Sequence, residues 1–87
     1  MTRNDVMTMV EGHNSRIDKF MDEILPVLLE GAGVKVVDGK IAMTDWFVAQ
    51  RFINVMNFYE AGMAILKPAR DQGFDVKMDM QSNKLVF

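Results

Sequence analysis

Few side chains in this sequence can do chemistry, and they come singly or in pairs. His13 is the single histidine. Histidine ordinarily exchanges its proton near neutral pH, so His13 is the first candidate for general acid or base work. No second catalytic group stands at a fixed spacing from it, and an enzyme built on His13 would need Tyr59 or a carboxylate brought in by folding. Asp18 with Asp22, one helical turn apart, and Asp75 with Asp79, on the solvent side of a predicted strand, are the paired carboxylates. Such pairs serve metal or acid-base sites when they are buried or joined by a third ligand, and here they read as solvated surface charge. The chain has no cysteine, which excludes thiolate metal sites and a disulfide framework. One histidine excludes a cluster of imidazoles around zinc, and no cofactor or metal is expected. Gly31-Ala32-Gly33 leads from helix into strand, the reverse of the order in which glycine-rich loops cradle phosphate.

Composition narrows the class of partner. Ten basic and 12 acidic residues leave a formal charge of −2, with no run of one sign. Nucleic-acid binding draws most of its sequence-independent affinity from phosphate neutralisation and leaves a basic footprint. None is visible, so no nucleic acid is expected. The stretch 46–66 is long enough to span a bilayer, yet it holds Arg51 and Glu60 together with Gln50, Asn54 and Asn57. Each charge costs roughly 2.5–3.5 kcal/mol at a membrane centre, and a spanning helix is not expected. MTRNDVMTMVEG lacks the apolar core and small-residue cleavage pattern of a leader. The expectation is a soluble, cytoplasmic protein.

The elements that must position these residues follow from periodicity. Val6, Val10, His13, Ile17, Phe20, Ile24 and Leu28 recur at helical spacing and predict a helix over 4–30. Asn4 or Asp5 can cap its start. Gly12 to Ser15 is the expected interruption, and Pro26 should kink or end the helix near Leu25. Gly31 is the expected left-handed cap. Residues 34–43, VKVV-DG-KIAM, carry Asp-Gly between extended runs, a strong hairpin signal because both turn positions need positive φ. A two-residue loop sets Val36 against Ile41, Val34 against Met43, Lys35 against Ala42 and Val37 against Lys40.

Thr44 is the expected N-cap of the central helix, TDWFVAQRFINVMNFYEAGMAILK, running to about Lys67 as one rod. Its apolar stripe is Val48, Phe52, Val55, Tyr59, Gly62 and Leu66. Glu60 to Gly62 is its expected weak point, with Pro68 kinking or restarting it and Gly73 capping the end. From Phe74 the pattern alternates with period two, and a turn at Ser82-Asn83 would set Leu85 and Phe87 against Met80 and Met78. Nine methionines are many for 87 residues. Met56, Met63, Met78 and Met80 fall on predicted core faces as gap fillers.

The fold class expected is α+β: one domain, 1–87, of two long amphipathic helices packed on a small antiparallel sheet made of two β-hairpins, in the order α-β-β-α-β-β. A chain this short buries only around 60–65% of the surface its unfolded form exposes. Beside the apolar stripe, Phe47, Arg51, Asn54 and Phe58 follow at steps of four, three and four, with Trp46 near the helix start. Aromatic residues with arginine are what protein-binding patches are rich in.

The function expected is a non-catalytic protein-interaction domain whose partner-binding residues are Trp46, Phe47, Arg51, Asn54 and Phe58. An inhibitor or accessory factor that docks on a larger protein complex, of the size phages often encode, fits that profile. The alternatives are a self-associating structural subunit pairing through its helix stripes, and a small ligand-binding domain or enzyme using His13.

Overall fold

A computed structural model describes residues 1–87. Helical segments dominate, with one small antiparallel sheet, so the α+β class holds in its coarse form. The first helical run is α1 (Arg3–Lys19), a π-helical turn (Phe20–Ile24) and α2 (Leu25–Gly31). After an extended arm and a 3₁₀ turn (Met43–Asp45) come α3 (Trp46–Met56) and α4 (Phe58–Asp71), then β1 (Lys77–Met78) and β2 (Leu85–Val86). By its internal contacts the chain forms two compact units, Met1–Ile17 with Phe58–Phe87, and Asp18–Asn57.

Local chemistry explains the boundaries. Thr2, and neither Asn4 nor Asp5, caps α1: its hydroxyl accepts the Asp5 amide (3.2 Å) and its own amide donates to the Asp5 carboxylate (2.9 Å). This reciprocal pair satisfies two amides at the helix start. The Thr2 amide, helped by its hydroxyl, holds the Asp5 carboxyl below the ordinary carboxylate range. Gly12 to Ser15 causes no break, because helix bonds and a buried face carry α1 through it.

Pro26 does not end the run, which continues through it to Gly31. Its ring crowds the preceding turn and it has no N–H to return. The helix answers by widening to π geometry just before it, where the Leu25 amide donates to Phe20 O. The left-handed cap is Gly33 (φ 84°), and Gly31 remains helical. Gly33 N donates to Glu30 O and Val34 N to Leu29 O, the paired bonds of a Schellman ending, with Val34 and Leu29 both buried. Gly73 closes α4 in the same way, through bonds to Arg70 O and from Phe74 N to Ala69 O. Pro68 lies within α4, which runs past it to Asp71.

The single central rod is overturned. Asn57 adopts the left-handed conformation (φ 51°, ψ 49°), so α3 ends at Met56 and α4 begins at Phe58. Asparagine tolerates this region better than other residues with a Cβ, because its short amide can bond locally. The expected weak point at Glu60 to Gly62 is intact helix. Thr44 makes no cap bond and lies in the 3₁₀ turn before α3. We expect Asn57→Ala to cost about 1 kcal/mol and Asn57→Gly to recover most of it. Urea denaturation of the two variants checks this, and equal stabilities would remove the backbone explanation.

In the unit of residues 18–57, the Asp38-Gly39 turn has both residues at positive φ (53° and 71°). It is closed by Val37 N to Lys40 O and Lys40 N to Val37 O, each 2.9 Å. That bridge is the whole ribbon. The pairs Val36–Ile41, Lys35–Ala42 and Val34–Met43 do not form, because Val34 is tied back to Leu29 and Ala42 accepts from Asp45 in the 3₁₀ turn. The two hairpins therefore do not merge, and the only sheet is β1-β2. Phe20, Leu25, Leu29, Val34 and Ala49 are buried in this unit.

In the other unit, Val6 and Val10 of α1 join Leu66 and Ala69 of α4 with Val76 and Leu85 in one core, flanked by Met63, Ile65, Phe74 and Met78. The strand register is Lys77↔Val86 and Met78↔Leu85, two residues away from the expected pairing of Leu85 with Met80. The turn is longer than two residues: Asp79 N donates to Lys84 O, Asn83 sits at φ 61°, and the Asp79 carboxylate accepts the Gln81 amide. An even shift leaves each side chain on its face, so Leu85 still points inward. Met80 moves into the turn and is exposed, and Met56 is exposed at the end of α3, both against expectation.

A two-stranded ribbon is marginal alone. Here its outer edges are closed by helix side chains. Asn14 of α1 donates Nδ2–H to Leu85 O and accepts Leu85 N–H at Oδ1, both 2.8 Å. On the far edge, Arg70 of α4 donates Nε–H to Val76 O at 3.0 Å.

Candidate functional site

His13 was the first chemical candidate, and its surroundings are structural. The ring is 1% exposed. Its Nε2–H donates to the backbone carbonyl of Asn83 at 2.7 Å, which fixes the proton on that nitrogen in the neutral ring. Phe58 stands edge-on to it with ring centroids 6.4 Å apart. Gly62 of α4 passes so close that a Cβ there would meet His13 Nε2 and the Met78 methyl. Tyr59, the other member of the imagined pair, is exposed on α4. The polar partner of His13 is thus a main-chain carbonyl, and the ring serves as a hydrogen-bonded piece of core.

His13 also stands in the lining of an open, shallow depression with Thr8, Met9, Gly12, Arg16 and Ile65, and the paired carboxylates are surface groups. Asp18, Asp22, Asp75 and Asp79 are all exposed, and Asp79 organises the turn between the strands. No group of three or more histidine, aspartate or glutamate side chains gathers in an arrangement that could hold a metal ion. No helix is long and apolar enough to cross a membrane.

The aromatic and arginine row is split. Phe58 is 7% exposed, lies beyond the Asn57 break and packs beside His13. The helical spacing that joined it to Phe47, Arg51 and Asn54 fails because the left-handed residue between them resets the rotation. Phe58 therefore leaves the proposed surface. The other four belong to α3 and are exposed. Phe47 is 62% exposed, with the Arg51 guanidinium 5.8 Å from its ring centroid. Gln50 donates to Asn54 Oδ1 at 2.9 Å one turn along.

Periodicity misplaced Tyr59, which is exposed, and above all Val55. Expected in the apolar stripe, it is 82% exposed, one helical turn beyond Arg51 and two beyond Phe47 by its spacings of four and eight. Val48, Ala49, Phe52 and Ile53 form the more buried side. The break explains this: a helix of 11 residues needs only one inward face, and the stripe that continued through Tyr59 is cut off at Asn57.

Trp46 is 45% exposed and does a second thing. With Leu25 and Leu29 of α2, and Val36 and Ile41 of the arms flanking the Asp38-Gly39 turn, it lines an apolar groove of about 310 Å³, and Lys40 stands in the same wall. Nothing in the local sequence pattern marked this groove. Its walls come from three separate stretches, and only their packing brings them together. Comparison with family models, with curated proteins and with solved structures gives no match.

Proposed function

We propose that the chain works by contact, as a non-catalytic interaction domain that docks on another protein through the outer face of α3: Phe47, Arg51, Asn54 and Val55, with Trp46 at its start. The observation that supports it is the exposure of Phe47 and Val55 on one helical face beside an arginine held over an aromatic ring. Large apolar side chains left in water along one helix face are costly to the monomer and favour burial against a partner. Aromatic residues and arginine commonly supply most of the binding energy in such patches. In the finer form of the proposal, the chain is an inhibitor or accessory factor that occupies a site on a larger complex.

The test is capture of partners from host extract by the wild type, Phe47→Ala, Arg51→Glu and a control, Lys67→Glu. The two α3 variants are expected to weaken the same captured protein roughly ten- to thirtyfold, equivalent to about 1.4–2 kcal/mol, while the control retains it. If both substitutions leave every captured protein in place, this face is not the docking surface.

A second reading, self-association, is favoured by another observation. Ile24, Val27 and Leu28 are exposed at spacings of three and four, an apolar stripe with nothing over it in the single chain. Sedimentation over a range of concentrations tests it. A constant monomer mass removes this reading, and a dimer that Val27→Asp dissolves supports it.

A further inference from the structure

We propose that the groove beside Trp46 is a binding site for a small amphipathic monoanion, a carboxylate with a medium-length apolar tail. Its volume of about 310 Å³ falls at the low end of the range for small-molecule sites, roughly 300–1,000 Å³. That suits one medium-length acyl chain, with room for little else. Leu25, Leu29, Val36 and Ile41 give it apolar walls, and the Trp46 indole adds a flat one.

The charge of the ligand follows from the lining. Lys40 is the one ionisable residue among the groove-lining side chains, and no carboxylate lines the site. The Lys40 ammonium has no ion pair or hydrogen bond within the chain, and the Trp46 indole N–H is likewise without an acceptor. Lys40 thus supplies the only formal charge among the lining residues, and an ammonium favours an anion over a cation. Lys40 is also well placed to recognise a head group, because its backbone is held by both bonds of the Val37–Lys40 bridge across the tight turn. The tail is assigned to the apolar walls and the carboxylate to the Lys40 end. This site is separate from docking through α3, with which it shares only Trp46.

Trp46 is the only tryptophan in the chain, so its fluorescence reports on the groove directly. The experiment is a titration of the full chain with decanoate, below its micelle-forming concentration, beside decanol and acetate. Decanoate is expected to give a saturable change, with decanol at least about fivefold weaker and acetate silent. Lys40→Gln should weaken decanoate about fivefold, the size of effect for a solvent-accessible charge pair. Lys40→Glu should abolish that response and admit decylamine instead. Lys40 is exposed and its main-chain bonds survive either substitution, and circular dichroism checks that both variants fold.

Arg51→Glu should leave the decanoate curve unchanged, which separates this site from the docking face. Absence of a saturable response to decanoate overturns the proposal. So does an equal response in Lys40→Gln, and equal binding of decanol would make the groove a neutral apolar cleft.

Discussion

His13→Ala is expected to destabilise the folded chain by about 3–5 kcal/mol, in the range for removing a large buried ring. Two costs combine. The first is a cavity where the imidazole stood between α1 and α4, edge-on to Phe58 and against Gly62. The second is the Asn83 carbonyl, which loses the Nε2–H donor that met it at 2.7 Å. A domain of this length is stable by roughly 0.05–0.15 kcal/mol per residue, so the loss would be a large part of the whole. Denaturation followed by circular dichroism measures it. If the alanine protein does not fold, His13→Leu keeps the argument testable: it is close to the imidazole in volume and leaves the Asn83 carbonyl unpaired, for a cost of about 1–3 kcal/mol. A change within about 1 kcal/mol in His13→Ala would mean that the ring is not part of the core.

Asn14→Leu should cost about 2–4 kcal/mol, although the side chain is only half-buried and keeps a similar size. The reason is the pair of bonds to Leu85, in which one primary amide takes the place of a neighbouring strand. An isosteric apolar group leaves both the N–H and the C=O of Leu85 without partners, and each orphan costs roughly 1–3 kcal/mol where water cannot reach it freely. Asn14→Asp separates the two bonds. A carboxylate can still accept the Leu85 amide, but its other oxygen then faces the Leu85 carbonyl. Protonation turns that oxygen into a donor, so the folded state favours the protonated acid and raises its pKa. The aspartate variant should therefore regain stability as pH falls below the folded-state value and lose it as pH rises through that value. Hydrogen exchange at the Leu85 amide is the direct readout. Full protection in Asn14→Leu would show that the ribbon edge does not depend on Asn14.

Both results concern residues whose partners lie some 70 positions away in the chain, and this marks where local reasoning stops. Of the expected stripe Val6, Val10, His13, Ile17, Phe20, Ile24 and Leu28, the first five are buried, while Ile24 and Leu28, at and beyond the π-helical turn, are exposed. Asp38-Gly39 demanded positive φ at both positions and obtained it, and Gly73 ended α4 where a left-handed residue was needed. These features depend on hydrogen bonds and backbone sterics within a few residues, so they are written in short stretches of sequence.

Asn57 shows the opposite case. Its preference for the left-handed region is a bias that continuous helical periodicity on both sides outweighs on paper, and it prevails where Phe58 finds a buried place beside His13. From that one residue follow the exposure of Val55 and the loss of Phe58 from the proposed surface. Asn14 as a surrogate strand, the two-residue shift between β1 and β2, and the groove at Trp46 likewise arise only when distant segments meet. Sequence by itself determined the tight turn at Asp38-Gly39 and the inner stripe of α1 as far as Phe20, because near neighbours decide them. Tertiary structure alone decided which apolar residues stay in water and which polar ones close the sheet, because those outcomes depend on contacts whose spacing leaves no period in the chain.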